Sequence, residues 1–348
     1  MTGQDGAPRG ALLVGSVPLA NATEVFQTAA DILGDRLRRF PDGETGVRSN
    51  WIGWQYDVLA RVPQLEVVPP NPDAYLPVPK FRLRDGADTS AIRFDNLGYA
   101  DAARASYETF TQLKAAGTIP AHVRFQVSLP TPLASVAAYV QPESQAAIEP
   151  AYEARLLAEV DEILEAIPRD DLAIQWDVAV EVGILEQTFP SAFDNPREAI
   201  VERLVRIGDY IPTDVELGYH LCYGDAGHRH FKQPEDTRLL TDLANRIAAG
   251  VQRPITWLHL PVPADRSDDA YFAPLRDLQL DPETELYLGL VHDTDGVEGT
   301  RHRIEAARRA VPAFGVATEC GLGRRPPETI PALLRLHAEV SGPVVSVV

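Results

Sequence analysis

The sequence predicts an α/β protein built as a (β/α)8 TIM barrel. Short apolar runs with strand-like alternation recur along almost the whole chain, and amphipathic helical patterns separate them. Eight such strand–helix units can be counted. Strands that alternate with helices are parallel, and eight units can close into a barrel with no exposed edge. An open doubly wound sheet is the alternative, but no G-x-G-x-x-G turn follows the first strand.

Each predicted element follows from its local pattern. The strands are predicted at 11–18, 36–44, 122–130, 172–181, 214–222, 254–261, 285–293 and 314–321. Their interiors are apolar, as a packed barrel requires. The helices are predicted at 22–34, 50–62, 98–116, 147–167, 196–207, 234–250, 268–277, 297–311 and 326–340. The first of these ends at Gly34, and the helix ending at Gly250 opens with an acidic first turn. Residues 66–96 are rich in proline and interrupt the alternation, which predicts an inserted hairpin or loop.

Composition narrows the class of protein. The 348 residues are predicted to form a flexible N-terminus, 1–10, and a single barrel domain, 11–348. No apolar run approaches the roughly 20 residues that span a bilayer, and the first residues lack the pattern of a signal peptide, so we predict a cytoplasmic protein. A net charge of −18 disfavours nucleic acid and anionic membranes as partners. Two cysteines in such a chain argue against a disulfide framework.

Reactive side chains gather at the predicted C-terminal ends of the strands, where a barrel builds its active site. They are Ser16, Asp42, Glu44, Ser128, Asp177, His220, Cys222, His259, His292, Asp293, Glu319 and Cys320. Both cysteines of the chain are in this set, which indicates a shared site for them.

His220 and Cys222 predict part of a metal site. They lie two residues apart on one strand, so their side chains point to the same side. Cys320 ends the last predicted strand, and closure of the barrel brings it towards the same centre. Two thiolates and one imidazole suit zinc, and a fourth position open to substrate is typical of a catalytic site. The alternative is that each cysteine is a small buried apolar residue.

Four segments resemble one enzyme family. The stretches "VGSVP", "IQWDVAVE", "HLCYG" and "ECGLGRR" resemble the catalytic barrel of cobalamin-independent methionine synthase and its relatives, in the barrel superfamily that includes uroporphyrinogen decarboxylase. The resemblance implies a Zn²⁺ ion held by His220, Cys222 and Cys320, which match the family signature residue by residue. It also implies that this ion activates a substrate thiol for alkylation.

The resemblance further implies a substrate-binding group of residues. Ser16 lies in the segment that contacts the amino acid substrate, and Glu44 and Asp177 match carboxylates that hold its ammonium group. On the residues alone, Asp42 and Gly43 also fit an ordinary turn, and Asp177 also fits a helix cap. Ser128 joins this group as a polar residue at a strand end.

Several positions depart from the family pattern. The family has a glutamate ligand where this chain has His259, so histidine, water or nothing is left as the fourth ligand. The proton-donating histidine of the family has no direct match, and His292, Asp293 and Asp295 are the candidates near that place. In the glycine-rich segment 224–231, His228 and Arg229 are predicted either to touch substrate from a loop over the barrel mouth or to be exposed.

These features predict a zinc-dependent methyl- or alkyltransferase. A free thiol has a pKa near 8.5, and coordination to zinc makes it a nucleophilic thiolate at neutral pH. The expected partners are a small-molecule thiol and an alkyl or methyl donor, and a homodimer is left open. The alternatives are a metal-free carboxy-lyase of the uroporphyrinogen decarboxylase type and a non-catalytic relative that binds a ligand or a carrier protein.

Overall fold

The computed structural model of the chain describes residues 7–73, 77–226 and 229–344. The strands in these ranges are β1 Arg39–Pro41, β2 Leu65–Val68, β3 Lys80–Leu83, β4 Arg124–Pro130, β5 Leu172–Val178, β6 Glu216–Leu221, β7 Trp257–Pro261, β8 Glu285–Gly289 and β9 Gly315–Val316. The α-helices are α1 Ala22–Leu33, α2 Gln55–Ala60, α3 Tyr99–Ala115, α4 Pro132–Tyr139, α5 Pro142–Ala166, α6 Val180–Leu185, α7 Pro196–Tyr210, α8 Arg238–Gly250, α9 Asp269–Phe272, α10 Gly296–Arg308 and α11 Ile330–Val340. Across the same ranges, every helix is too short or too polar for a bilayer-spanning segment.

Seven strands form one curled parallel sheet in the order β1-β4-β5-β6-β7-β8-β9. Every strand of this sheet pairs with its neighbour in chain order, which confirms the predicted α/β alternation and the parallel pairing. The order does not reverse, so the doubly wound alternative is not supported. The predicted insertion contains the antiparallel hairpin β2–β3, which confirms that prediction.

The predicted first strand, 11–18, is the main difference from an eight-stranded barrel. Ala11 bridges both Leu37 and Val316, and Ser16 bridges Gly43, but these are isolated bridges and no continuous ladder forms. The segment lies in the gap between β1 and β9 without completing a closed barrel of strands. Just before it, the backbone N–H groups of Arg9 and Gly10 donate to the carbonyls of Phe314 and Gly342, and the rest of the predicted flexible terminus, residues 1–6, lies outside the described residues.

Two buried glutamine side chains hydrogen-bond to the segment at 11–18, which lacks a continuous strand ladder. At these two positions the expectation that strand interiors are apolar is wrong. The Gln126 side-chain amide donates to the carbonyls of Leu13 and Val14 at 3.2 and 3.0 Å. The Gln175 amide donates to the Val14 carbonyl at 2.6 Å. Because the irregular segment leaves these carbonyls without strand partners, buried side-chain donors are needed to satisfy them.

Helices α4 and α6 are absent from the prediction. Both are short, and almost all their residues are buried, so they lack the apolar and polar faces that reveal a helix in a sequence. The start of α4 carries a local signal, because the Thr131 hydroxyl accepts from the Ala134 N–H and Pro132 occupies the first turn. The first two α6 residues, Val180 and Glu181, fall at the end of the strand predicted at 172–181, since short apolar runs do not distinguish buried strands from buried helices.

A buried charge network lies at the N-terminal ends of the strands. The Arg39 side chain is 2% exposed, forms an ion pair with Glu216, and donates from Nη1 to Glu285 Oε2 at 2.8 Å. Its guanidinium also stacks over the Trp257 ring at 4.2 Å. These contacts join β1, β6, β7 and β8 at the end of the sheet remote from the reactive residues.

We expect Arg39→Met to lower the free energy of unfolding by about 3 kcal/mol, because the largely buried Glu285 carboxylate would keep only the partly exposed Arg38 as its counter-charge. Urea denaturation followed by circular dichroism measures the change. Arg169→Met is the matched control, since the Arg169–Asp214 pair is about half exposed (50% and 57%) and should contribute little. Equal effects of the two substitutions would contradict the interpretation.

Candidate metal and substrate site

His220, Cys222 and Cys320 converge at the C-terminal end of the sheet. Their ligand atoms all lie within 4.8 Å of one another, and the two sulfur atoms are 3.5 Å apart. His220 lies in β6, Cys222 follows that strand directly, and Cys320 follows β9. The structure therefore brings together the three residues that the sequence predicted as ligands.

A second histidine, His259, contacts the His220 ring and holds it in place. The Nδ1 atoms of His220 and His259 are 2.6 Å apart, and His259 Nε2 is 3.0 Å from the Thr318 carbonyl oxygen. Burial lowers the pKa of both imidazoles, that of His259 to about 3, so both rings are neutral at pH 7. His220 Nε2 is buried and has no hydrogen-bond partner among the described residues.

His259 does not join the three-residue group, in contrast to its predicted place as a metal ligand. Both of its ring nitrogens are occupied, one by His220 and one by the Thr318 carbonyl. The strand-end argument placed His259 beside the site, but it could not distinguish a residue that faces the centre from one that supports its neighbour.

The Cys222 thiol is poorly suited to ionise without a cation. The hydrogen bond with Cys320, burial, and the nearby Cys320 charge raise the pKa of Cys222 well above its ordinary value. The Gly224 N–H donates to Cys222 Sγ at 3.3 Å and acts in the opposite direction. Two adjacent sulfurs and an unpartnered imidazole nitrogen form a donor set that fits Zn²⁺.

A cleft opens beside these three residues. Its lining includes three carboxylates, one guanidinium and the indole of Trp51. The lining residues are Val14, Gly15, Ser16, Glu44, Trp51, Asp177, Ala179, His220, Cys222, Gly224, Asp225, Cys320, Gly321 and Arg324. Three predicted substrate-binding residues, Ser16, Glu44 and Asp177, therefore share one cavity with the predicted ligands.

Two of the three carboxylates of the cleft, Glu44 and Asp177, are held in an environment that disfavours their charge. Burial raises the pKa of Asp177 to about 7, despite hydrogen bonding by Gln175 at 2.8 Å. Burial and the Asp177 charge raise the pKa of Glu44 well above its ordinary value, and Arg48 and Arg324 only partly offset this. An unpaired cationic group of a ligand would stabilise both carboxylates.

Local backbone geometry places Glu44 in the cleft. Gly43 and Glu44 both have positive φ, 81° and 49°, and the Asp42 carboxylate accepts from the Glu44 N–H at 2.9 Å. A non-glycine residue in this region is strained and is often held for a functional reason. Opposite it, a Cβ atom on Gly15 would lie 2.4 Å from Glu44 Oε1, so a larger residue there would displace the Glu44 carboxylate.

The two predicted serines lie in different places. Ser16 lines the cleft, and its Oγ accepts from the Gly323 N–H at 3.1 Å. Ser128 lies deeper, donates to the Val14 carbonyl at 3.1 Å, and lines a small adjoining cavity that shares Glu44 with the cleft. Ser128 therefore contacts the segment that forms one wall of the cleft, and it does not line the cleft itself.

The predicted proton donors all bond elsewhere. His292 Nε2 is 2.8 Å from the Val262 carbonyl, Asp293 pairs with Arg325 at 2.7 Å, and Asp295 pairs with Arg303 at 2.6 Å. None of the three lines the cleft. A donor role for any of them would require its present contact to open.

The loop after β6 contains two residues that were predicted either to touch substrate or to be exposed. Arg229 is exposed, and His228 lies outside the described residues. The neighbouring His230 side chain is 3% exposed and lies 3.3 Å from the Glu319 carboxylate, next to Cys320. Burial raises the Glu319 pKa, but His230, His292 and Arg325 outweigh it and lower that pKa.

Three further residues line the cleft that the strand-end pattern does not predict: Trp51, Asp225 and Arg324. Trp51 has a positive φ of 47°, which its place in a predicted helix concealed. Asp225 and Arg324 form an ion pair at 3.4 Å that joins the loop after β6 to the loop after β9. Only contacts between distant segments reveal these positions.

Comparison with known proteins identifies the fold class. No protein-family model matches the chain, and no curated protein matches it. Among solved structures, a putative vitamin-B12 independent methionine synthase from Listeria monocytogenes has 14% identity and a TM-score of 0.58, with 97% of this chain and 99% of that chain covered. A B12-independent methionine synthase from Shewanella sp., in complex with selenomethionine, has 13% identity and a TM-score of 0.63, covering 95% and 96%.

A methyltransferase from Methanosarcina mazei is a third similar structure, at 12% identity and a TM-score of 0.50, covering 96% of this chain and 94% of that chain. At these identities the similarity establishes a shared fold. The chain therefore has the overall fold of B12-independent methionine synthase and methyltransferase structures, over almost its whole length.

Proposed function

We propose that this protein is a zinc-dependent thiol methyl- or alkyltransferase of the methionine synthase-like type. The observation that carries the proposal is the convergence of His220, Cys222 and Cys320, with ligand atoms within 4.8 Å of one another, at the edge of a cleft. The fold shared with methionine synthase and methyltransferase structures supports it.

His220, Cys222 and Cys320 would hold the zinc ion. When bound, zinc would supply the positive charge that keeps a coordinated substrate thiol deprotonated and nucleophilic at neutral pH. The protein's own contribution is a buried, neutral imidazole with a free nitrogen and two adjacent sulfurs, already assembled on two strand ends.

Glu44 and Asp177 would bind an ammonium group of the thiol substrate. Both carboxylates line the cleft, and their raised pKa values indicate that neither has a sufficient counter-charge in the free protein. An ammonium ion between them would provide it, and would orient the rest of the substrate towards the sulfurs. Arg324, on the opposite loop, is placed to meet an anionic group of the same ligand.

The remaining chemistry is transfer of an alkyl group from the donor's leaving group to the substrate sulfur. The sulfur attacks the electrophilic carbon of the alkyl group, the bond between that carbon and the leaving group breaks, and the leaving group takes up one proton, which balances the proton lost by the thiol. A buried cleft favours this reaction, because exclusion of water leaves a thiolate more reactive and protects the donor from hydrolysis.

Metal analysis and a thiol-alkylation assay test the proposal together. We expect about one zinc per chain in protein purified without chelators, and formation of a thioether from amino thiols and methyl or alkyl donors, detected by mass spectrometry. Removal of zinc with a chelator should abolish the product, and its re-addition should restore it. Full activity in the zinc-free protein would contradict the proposal.

A further inference from the structure

A chain of buried contacts runs away from the candidate metal centre. It starts at His220, passes through the ring of His259 and ends at the main-chain carbonyl of Thr318. The two distances are 2.6 Å between the Nδ1 atoms and 3.0 Å from His259 Nε2 to the carbonyl oxygen. His220 is 3% exposed and His259 is 0% exposed, so water does not compete for these contacts.

The carbonyl at the end of this chain fixes the protons along it. A carbonyl oxygen only accepts, so His259 must donate to it from Nε2–H. The groups that contact the His259 ring are both neutral, and a charged ring would be buried there without a counter-ion. A neutral His259 protonated on Nε2 has a lone pair on Nδ1, so His220 must donate to it from Nδ1–H.

We propose that His259 is a positioning residue that holds His220 in the Nδ1–H tautomer and presents its Nε2 lone pair to the metal. This inference rests on the proposed metal site, and it assigns His259 to a supporting place instead of the fourth ligand position. The unpartnered, buried Nε2 of His220 is the atom that the assignment leaves free for a ligand bond. Metal-bound histidines commonly have their other ring nitrogen fixed in this way, which sets the orientation and basicity of the ligand.

The same ring also couples the two ligand-bearing segments. His220 belongs to β6, and Thr318 lies two residues before Cys320. The Thr318 hydroxyl donates to the Cys320 carbonyl at 2.7 Å, which fixes the short turn that carries the second sulfur. His259 therefore fixes the position of the His220 imidazole relative to the Cys320 sulfur, in addition to setting the His220 tautomer.

Two substitutions separate these roles from simple packing. In His259→Gln, the side-chain amide can accept from His220 Nδ1–H and donate to the Thr318 carbonyl. In His259→Phe, the ring volume is kept and both hydrogen bonds are lost. We expect the Phe variant to bind zinc about 10–100-fold more weakly than the unaltered protein, and the Gln variant to keep most of the affinity. Competition with a chromophoric chelator at fixed pH measures both dissociation constants.

Thermal unfolding of the zinc-free proteins is the control for packing, and the Gln and Phe variants should unfold at similar temperatures. X-ray absorption of the zinc-loaded unaltered protein should fit two sulfurs and one imidazole. Equal zinc affinity in the Phe variant, or a second imidazole in the absorption fit, would overturn the role of His259. Absence of zinc binding in the unaltered protein would instead overturn the proposed function on which the inference rests.

Discussion

The Cys222→Ser variant is expected to lose zinc binding and thiol alkylation together. A serine hydroxyl is not deprotonated by zinc near neutral pH as a thiol is, and only two ligands, His220 and Cys320, would remain. We expect the zinc affinity to fall by more than about 100-fold, beyond the 10–100-fold that follows loss of a supporting hydrogen bond. Zinc content after dialysis and a chelator competition measure the effect.

Cys320→Ser should give the same result, because the two sulfurs are 3.5 Å apart and contribute equally to the site. The chain contains two cysteines, so the double variant is cysteine-free and reports any zinc held elsewhere. Circular dichroism and thermal unfolding of the metal-free variants establish that the fold is retained. Unchanged zinc content in either single variant would exclude these residues as ligands.

The second large effect is expected from Asp177→Asn, which should stabilise the ligand-free protein above pH 7 while weakening substrate binding. Burial raises the pKa of Asp177 to about 7, whereas an aspartate in an unfolded chain titrates near 3.9. Between about pH 4 and 7 the folded protein therefore binds more protons than the unfolded chain. Its stability must fall as the pH rises through this window, with a slope of up to about 1.4 kcal/mol per pH unit.

Urea denaturation at pH 5, 6, 7 and 8 measures this slope. The Asn variant should give a flatter profile, because it has no carboxyl group to ionise at this position. Glu44 and Asp177 titrate as an interacting pair, so Glu44→Gln should also flatten it. Asp293→Asn is the matched control. Burial opposes the charge of Asp293, but Arg325 outweighs burial and lowers the Asp293 pKa. Loss of this carboxylate should therefore leave the slope between pH 5 and 8 unchanged.

Asp177→Asn should weaken substrate binding, although it stabilises the ligand-free protein. Removing one partner of a buried, hydrogen-bonded charge pair costs about 2–5 kcal/mol, which corresponds to at least about 30-fold in affinity. Isothermal titration of zinc-loaded protein with an amino thiol should show this loss in Asp177→Asn, but not with the corresponding thiol that lacks the amine. Equal binding of the two thiols to the unaltered protein would argue against an ammonium site.

The alternation of strands and helices was sufficient to predict the parallel order of the sheet. Period-2 apolar runs identified seven of its strands, because buried parallel strands are long enough and apolar enough to be recognised. The segment at 11–18 has the same apolar pattern, yet it forms only isolated bridges. Whether an apolar run joins a ladder depends on its neighbours, and here Gln126 and Gln175 take the place of strand partners.

The candidate site was predictable to the extent that it depends on strand ends. His220 and Cys222 share one side of a strand, so local geometry was enough to place them together, and the end of β9 supplied Cys320. The same reasoning selected Asp293, and the family resemblance selected Asp295 shortly after the same strand. Both are drawn into ion pairs, Asp293 with Arg325 and Asp295 with Arg303. Sequence position indicates which end of the sheet a residue occupies, and long-range partners decide where its side chain points.

The glutamine-bridged segment also ties one wall of the cleft to a loop that carries a predicted ligand. Val14, Gly15 and Ser16 form this wall, where the Gln126 and Gln175 amides donate to the Val14 carbonyl and the Leu322 N–H donates to the Ser16 carbonyl at 2.6 Å. Leu322 lies two residues after Cys320. We therefore expect any displacement of this wall by a ligand to be transmitted to the position of the Cys320 sulfur.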